Sequence, residues 1–323
     1  MSENFHSIAS LGGGHGLYQT LRATRLMELE SITAIVTVAD DGGSSGRLRK
    51  ELGMIPPGDL RMALAALAHE DADGKLLSEL LQHRFRGHGA LAGHAVGNLI
   101  IAGLTEVLGT EQQALDTVAR LTRSAGRVLP MVLEPLEIEA DVAGLDDDPR
   151  IMRAVRGQVA VATTTGTVRR VRLVPEKPQA NQEATQAIAE ADMVTLGPGS
   201  WFSSVIPHLL VPGIVEALNT SPALKVAIIN LTAEAGETAG FSTERHVHML
   251  RQHAPSLRLD RVLVDSTVLP TIGERRYVEQ AAASLGARVE YEDLRAVDEN
   301  GRVTDIHDPV KLAAALQRLN AER

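Results

Sequence analysis

Apolar positions along the chain fall into short runs that end at glycine-rich loops, and between them lie longer stretches with helical spacing. The first run, Ser7-Ile8-Ala9-Ser10-Leu11, stops at glycines and gives way to Leu17, Leu21 and Leu26 at near-helical intervals, which predicts strand, loop, helix. A second strand is expected over residues 32–38. Two strands joined by a helix of this length make a parallel βαβ unit, whose ligand crevice lies beyond the carboxyl ends of its strands. From Asp59 to about Ser124 the spacing turns helical, with Leu60, Leu64, Leu67 and Ala68 on one side and Leu99, Leu104 and Val107 on another, a helical insertion after the second strand.

Strand-like segments follow at 128–138 and 159–173, and the alternation Val168-Arg169-Arg170-Val171-Arg172-Leu173 predicts a strand with one solvated face. Further strands are expected at 193–196, 225–231 and 261–264, interleaved with helices near 183–190, 206–218 and 243–253. No fixed-period repeat, low-complexity tract or Pro/Gly/Ser linker interrupts the chain. The pattern therefore predicts one α/β unit over residues 1–323, a parallel sheet flanked by helices.

Composition narrows the possible functions. With 323 residues and 44% hydrophobic content the chain can bury a large core. The net charge of -9 argues against nucleic-acid and anionic-membrane partners, because a polyanion needs a basic face to release its counterions. Without cysteine, disulfides, thiolate zinc sites and a cysteine nucleophile are excluded, so any metal must use oxygen or imidazole. Aromatic residues at 2% leave no material for a stacking platform. The segment Met-Ser-Glu-Asn-Phe-His lacks a basic stretch before an apolar one, and no apolar run reaches about 18 residues, so a cytoplasmic protein is expected.

The loop Gly12-Gly13-Gly14-His15-Gly16 lies between strand and helix, where backbone N–H groups approach a phosphate unobstructed by β-carbons. It lacks the Gly-Lys-Ser/Thr ending of a P-loop and the GxGxxG spacing of a dinucleotide fold. The second loop, Ala39-Asp40-Asp41-Gly42-Gly43-Ser44-Ser45-Gly46-Arg47, offers two carboxylates for a divalent cation or a ribose. Its glycines and serines could wrap a phosphate, with Arg47 adding charge; the alternative for Asp40 and Asp41 is local turn chemistry. Asp59, in Pro-Pro-Gly-Asp-Leu-Arg, is placed as a helix cap or as a third acid beside that pair.

Asn98, an amide in an otherwise apolar helix, needs partners, either a ligand or a structural hydrogen bond. Gly197, Pro198, Gly199 and Ser200 follow a strand and suit close approach to an anion. After the next strand, Asn230, Thr232 and Thr238 could recognise a base or a sugar, and Glu237 is expected to stay solvated.

Together GGGHG, VADDGGSSGRLR, PPGDLR, GHAVGN, GRVLP, LGPGS with the Ser203-Ser204 pair, and NLTAEAGETAG resemble the YvcK/CofD-like family, in family order from Ser7 to Val264. The resemblance implies a modified Rossmann-like parallel sheet with nucleotide held over the strand ends. The long ADDGGSSGRLR form, GHAVGN and AGETAG resemble the YvcK branch, the gluconeogenesis factors. That branch implies binding of UDP-N-acetylglucosamine or UDP-glucose, a role in gluconeogenic growth, cell shape and peptidoglycan synthesis, protein partners in envelope synthesis, and a homodimer.

By the same resemblance the glycine loop and residues 197–200 hold the diphosphate, while Asn230, Thr232 and Thr238 face uridine or sugar. The other branch transfers a phospho-lactyl group to a deazaflavin with magnesium, and Asp40, Asp41 and Asp59 match its acidic positions. Family members often carry Thr at His15, Pro at Ala235 and Leu or Tyr at Trp201.

Overall fold

The chain enters its sheet through β1 (Ser7–Gly12), buried on both faces from Ile8 onward, which explains a continuous apolar run in place of alternation. A computed structural model describes residues 5–322 except Pro149, Ala235, Gly236 and Pro270. After β1 come α1 (Gly14–Arg25) and β2 (Ser31–Val36), then five helices: α2 (Gly43–Leu52), α3 (Gly58–Leu67), α4 (Ala72–Gln82), α5 (Val96–Leu108) and α6 (Glu111–Leu121). The strand β3 (Arg127–Pro130) is followed by β4 (Glu137–Ala143), β5 (Met152–Arg156), the short α7 (Gln158–Ala162) and β6 (Thr167–Val174).

The second half runs α8 (Gln182–Glu190), β7 (Met193–Leu196), a π-helical turn (Trp201–Val205), α9 (Ile206–Leu209), α10 (Pro212–Thr220), β8 (Leu224–Ile228), α11 (Thr243–His253) and β9 (Arg261–Asp265). Then α12 (Ile272–Ala283), β10 (Arg288–Glu292), the hairpin β11 (Arg295–Val297) and β12 (Val303–His307), and α13 (Pro309–Ala321) complete the described chain.

Seven strands form one sheet in the order β10-β9-β8-β7-β1-β2-β3, and every neighbouring pair is parallel. The chain builds outward from β1 to β3, then returns to the opposite side of β1 with β7. The strand order thus reverses between β1 and β7, and ligands of open α/β sheets bind outside the carboxyl ends at such a point. The expected α/β class and the helical insertion after the second strand are both present.

The insertion packs through α3, whose Leu60, Ala63, Leu64 and Leu67 are buried. Among the described residues no single helix is long and apolar enough to cross a membrane.

Three expectations need correction. Residues 43–47, read as the end of a loop, begin a helix that runs to Leu52, because glycines and serines suit a first turn whose N–H groups need other acceptors. Residues 158–162 are helical and not a strand: Gly157 turns the chain at φ 102°, and the Asp41 carboxylate accepts the Val159 N–H at 2.9 Å. The alternation near Val168 is broken where the β4–β6 register shifts at Asp141 and Val142, so Arg169 and Arg170 are both exposed.

The π turn after β7 is closed by the Val205 N–H donating to the Ser200 carbonyl at 3.2 Å. Trp201 inside it is fully buried, donates its indole N–H to the His246 carbonyl at 3.1 Å, and meets the His246 ring edge-on. His208 ties the same segment to β2, its Nδ1 3.0 Å from the Ser204 carbonyl and its Nε2 3.1 Å from that of Ile35. Burial lowers its pKa to about 4, so the neutral ring donates to one of the two. Truncation by Trp201→Ala is expected to cost about 3–5 kcal/mol through the cavity left behind, read as a lower urea midpoint at unchanged slope; a midpoint equal to wild type would show that Trp201 does not anchor this turn.

Candidate functional site

Four helical segments begin at the carboxyl ends of β1, β2 and β7. These are α1 at Gly14, α2 at Gly43, α3 at Gly58 and the π turn at Trp201. The opening N–H groups of a helix have no intrahelical acceptor and carry its positive dipole end, so α1, α2 and α3 favour an anion here, while at the π turn Glu237 already accepts the Phe202 N–H. Between them lies a crevice of about 480 Å³, lined by the glycine loop from Gly13 to Gly16, Asp40, residues 42–45, Asp59, Arg61 and Ser200 among others.

Two glycines show why the first loop has its composition. Gly14 takes φ +57° with open space where a β-carbon would stand, which leaves its backbone bare toward the crevice. A β-carbon on Gly16 would lie 2.2 Å from the Pro198 carbonyl oxygen, so only glycine lets the loops after β1 and β7 close on each other. Asn230 fixes the second of these loops: its Oδ1 accepts the Gly199 N–H at 3.0 Å and its Nδ2 donates to the Gly199 carbonyl at 2.9 Å.

Asp40 and Asp59 stand on the crevice floor. Burial, then repulsion from Asp40, raises the Asp59 carboxyl to about 7 against the opposing hydrogen bond from the Gly14 N–H and the charge of Arg61. Asp40 is also raised, chiefly by burial, while the Gly42 N–H at 2.9 Å and Ser45 pull the other way. Arg61 is only 3% exposed; its Nε donates to Asn98 Oδ1 at 3.0 Å, and its Nη1 has no hydrogen-bond partner. Burial and the neighbouring Arg84 lower the Arg61 pKa to about 10, which leaves it charged at neutral pH.

A second cavity of about 290 Å³ adjoins the first and shares His15, Gly16, Gly199 and Glu234 with it. Pro198, Asn230 and Thr232 line this second space. The candidates therefore divide. Gly13, Gly14, His15, Gly16, Asp40, Gly42, Gly43, Ser44, Ser45, Asp59, Gly199 and Ser200 line the first cavity. Gly12, Asp41, Asn98, Gly197 and Thr238 line neither.

The reasons are local. Asp41 is spent on the Val159 N–H, so the acidic pair at the floor is Asp40 with Asp59. Asn98 is buried and bridges Arg61 to Ser44, its Nδ2 donating to Ser44 Oγ at 3.0 Å. Thr238 is fully buried and accepts the Glu234 N–H at 2.9 Å. Arg47 donates to the Ala92 carbonyl at 2.8 Å and leaves the charge role to Arg61 and Arg84.

Glu237 is not solvated: at 4% exposure its Oε2 accepts the Phe202 N–H at 3.0 Å, capping the π turn, and burial raises its pKa. Ala235 and Gly236 of the same motif lie outside the described residues. Arg61, Arg84, Gln158, Ser203, Ser204 and Glu234 line the crevice but were not singled out as site residues. Arg61 and the serine pair sat within quoted motifs; Gln158, brought in by α7, left no signal.

Fold and crevice define a doubly wound α/β protein with a crevice at its topological switch point. The chain belongs to the CofD family, whose model, described as 2-phospho-L-lactate transferase CofD, matches residues 8–304. A Mycobacterium leprae relative is 56% identical over 310 residues, 96% of this chain and 85% of that protein. The gluconeogenesis factor of Bacillus subtilis is 38% identical over 290 residues, 90% of this chain and 87% of that protein. A crystal structure of a UPF0052-family protein from Bacillus halodurans has a TM-score of 0.83 at 33% identity, covering 98% of this chain and 99% of that one. The family read from the motifs, YvcK/CofD-like, is thereby established.

The Asp59 carboxyl makes stability depend on pH. Between its ordinary value of 3.8 and about 7 the folded protein holds a proton that the unfolded chain does not, so stability falls as pH rises through this window. The slope reaches up to about 1.4 kcal/mol per pH unit. Asp59→Asn is expected to remove this decline, gaining on wild type progressively from pH 4 to 7 in urea denaturation; parallel profiles would disprove the assignment.

Proposed function

We propose that this protein binds a UDP-sugar of the UDP-N-acetylglucosamine type and acts as a regulatory factor that links gluconeogenic growth to cell shape and peptidoglycan synthesis. The observation that carries the binding step is the pair Arg61 and Arg84 on the wall of a crevice onto which α1, α2 and α3 open. A diphosphate there would be met by guanidinium charge and by helix-start N–H donors. Support for the branch comes from relatives named as gluconeogenesis factors. Cytoplasmic location, envelope-synthesis partners and a homodimer belong to the same proposal.

Magnesium fits the floor of the crevice. Among the described residues no cluster of three or more metal-binding side chains occurs. Asp40 and Asp59 supply two hard oxygen donors, and magnesium is commonly held by one or two carboxylates together with substrate phosphates and water. When bound there the ion would neutralise phosphate charge beside two carboxylates. This pair also favours a second reading, a magnesium-dependent 2-phospho-L-lactate transferase acting on a deazaflavin, which formation of product from a deazaflavin acceptor would establish.

Thermal shift separates the two. UDP-N-acetylglucosamine or UDP-glucose at a hundred times its dissociation constant should add about 2.7 kcal/mol of stability. GDP, GTP and NAD are expected to give no comparable shift; a response confined to guanine nucleotides with magnesium would move the assignment to the transferase. Gly14→Val, a β-branched side chain at φ +57° facing the phosphate, is expected to abolish the shift in a folded protein. Asp40→Asn should weaken binding at least about tenfold with magnesium and little without it, a loss near 1.4 kcal/mol. Equal affinities in titration calorimetry would remove the metal from the site.

A further inference from the structure

The seven-stranded sheet has two edges, and they are finished differently. In a parallel ladder alternate residues of a strand turn their backbone groups to the same neighbour. The Met131 N–H donates to the Val36 carbonyl of β2 at 2.8 Å, so on β3 the residues facing outward are Val128 and Pro130. Gln112 Nε2 donates to the Val128 carbonyl at 3.2 Å, Asn181 Nδ2 donates to the Pro130 carbonyl at 2.9 Å, and proline has no N–H to leave open. Side chains and a proline close this edge against a further strand.

At the other edge β10 carries Arg288-Val289-Glu290-Tyr291-Glu292 and pairs only with β9. The Arg288 N–H donates to the Asp260 carbonyl at 3.1 Å, and the Glu292 carbonyl accepts the Ser266 N–H at 2.7 Å. Residues 288, 290 and 292 therefore turn their backbone groups to β9. The N–H and C=O groups of Val289 and Tyr291 point the other way, and no described residue bonds to them. Their side chains lie against the core, with the Arg275 guanidinium 4.6 Å from the centroid of the Tyr291 ring.

We propose that β10 pairs antiparallel with β10 of a second copy of this chain, about a two-fold axis at Glu290, so that two sheets become one. Val289 of each copy then lies opposite Tyr291 of the partner subunit. This register makes two hydrogen-bonded pairs, each exchanging two N–H···O bonds, and uses every outward backbone group on both strands. The charges fit the same register. Arg288, which is exposed, falls opposite Glu292 of the partner subunit on both sides of the axis, and opposite charges in this position attract. Glu292 already holds Arg318 of α13, and a carboxylate accepts from two guanidinium groups. Glu290 meets its own copy at the axis, where Arg261 stands 3.2 Å from the carboxylate and offsets the repulsion.

Sliding the strands until Val289 faces itself would set Tyr291 against Ala287, whose N–H is already donated to the Ala282 carbonyl at 3.0 Å. Because each sheet is parallel throughout, the carboxyl ends of the two sheets point in opposite directions, and each copy keeps a complete crevice. The inference rests on the homodimer reading above, gives it a face and a register, and does not depend on what the crevice binds.

Sedimentation velocity on the full chain over a dilution series tests it, since a strand this short places the association in the weak, concentration-dependent class. Wild type should approach twice the 34.5 kDa mass of the chain as concentration rises. Arg288→Glu and Glu292→Arg, each checked for a wild-type circular dichroism spectrum, should weaken self-association by at least about tenfold, because each sets like charges opposite one another twice. An equimolar mixture of the two variants should associate again, since each strand then faces charges opposite to its own. The chain has no cysteine, so Glu290→Cys gives a second measurement. Residues of a non-hydrogen-bonded pair stand about 4.5 Å apart at Cα, within disulfide reach, and mild oxidation should yield a cross-linked dimer on a non-reducing gel.

A wild-type chain that stays monomeric throughout would overturn both the homodimer and this face. A wild-type dimer whose charge variants associate as strongly, or whose mixed variants fail to associate, would overturn the β10 face and leave the homodimer standing. Absence of the cross-link would do the same, and it decides the matter if either charge variant loses its fold.

Discussion

The positive ends of three helices, α1, α2 and α3, open onto the strand reversal between β1 and β7, and this convergence shapes what the crevice favours. The chain is acidic, at net charge -9, yet the helix starts around its cleft favour negative charge there. Backbone N–H groups achieve this locally without a basic surface, which separates the site from a nucleic-acid face. Into the same space the fold places Asp40 and Asp59, which oppose an anion unless a proton or a cation neutralises them. The Asp59 carboxyl, raised to about 7 by burial and by Asp40, is neutralised in part by a proton near neutral pH.

Around the crevice, buried polar side chains fix the loops more than they face the ligand. Asn230 grips Gly199 through the oxygen and the nitrogen of its side-chain amide, Asn98 joins Arg61 to Ser44, and Glu237 caps the π turn. His94 extends the second of these networks, its Nδ1 3.0 Å from Ser44 Oγ. Such networks are stringent, because a single missing partner leaves a buried group unsatisfied. The loop backbone around the crevice is therefore held in place by the protein's own side chains.

This division explains what the sequence revealed and what it concealed. Glycine loops after apolar runs disclosed the backbone that lines the crevice, because local chain stereochemistry demands glycine there, as Gly14 and Gly16 show. Side-chain direction is not local. Asp41 and Thr238 carry plausible recognition chemistry, but one is drawn to α7 more than a hundred residues away and the other turns under its own loop. Glu237 looked solvated because nothing nearby in sequence announces that it will cap a turn formed by Trp201–Val205. The C-terminal strands and helices lacked motifs altogether, so the seventh sheet strand and the hairpin bearing His307 emerged only from the fold.

Binding factor and transferase can share one crevice, since holding a diphosphate is common to both. Transfer to a hydroxyl acceptor also calls for a base whose pKa lies near the working pH. Asp59, at about 7, meets that condition while the crevice holds no cation. A magnesium ion beside Asp40 and Asp59 would lower the Asp59 pKa by opposite charge and remove its basicity in the neutral range. The carboxyl that best suits the metal is thus the same one that best suits the base. Glu234, the other acid on the shared wall, receives a hydrogen bond from Ser200, and burial raises its pKa. A cation held by Asp40 and Asp59 would thus leave Glu234 as the remaining acid among the described lining residues of the crevice.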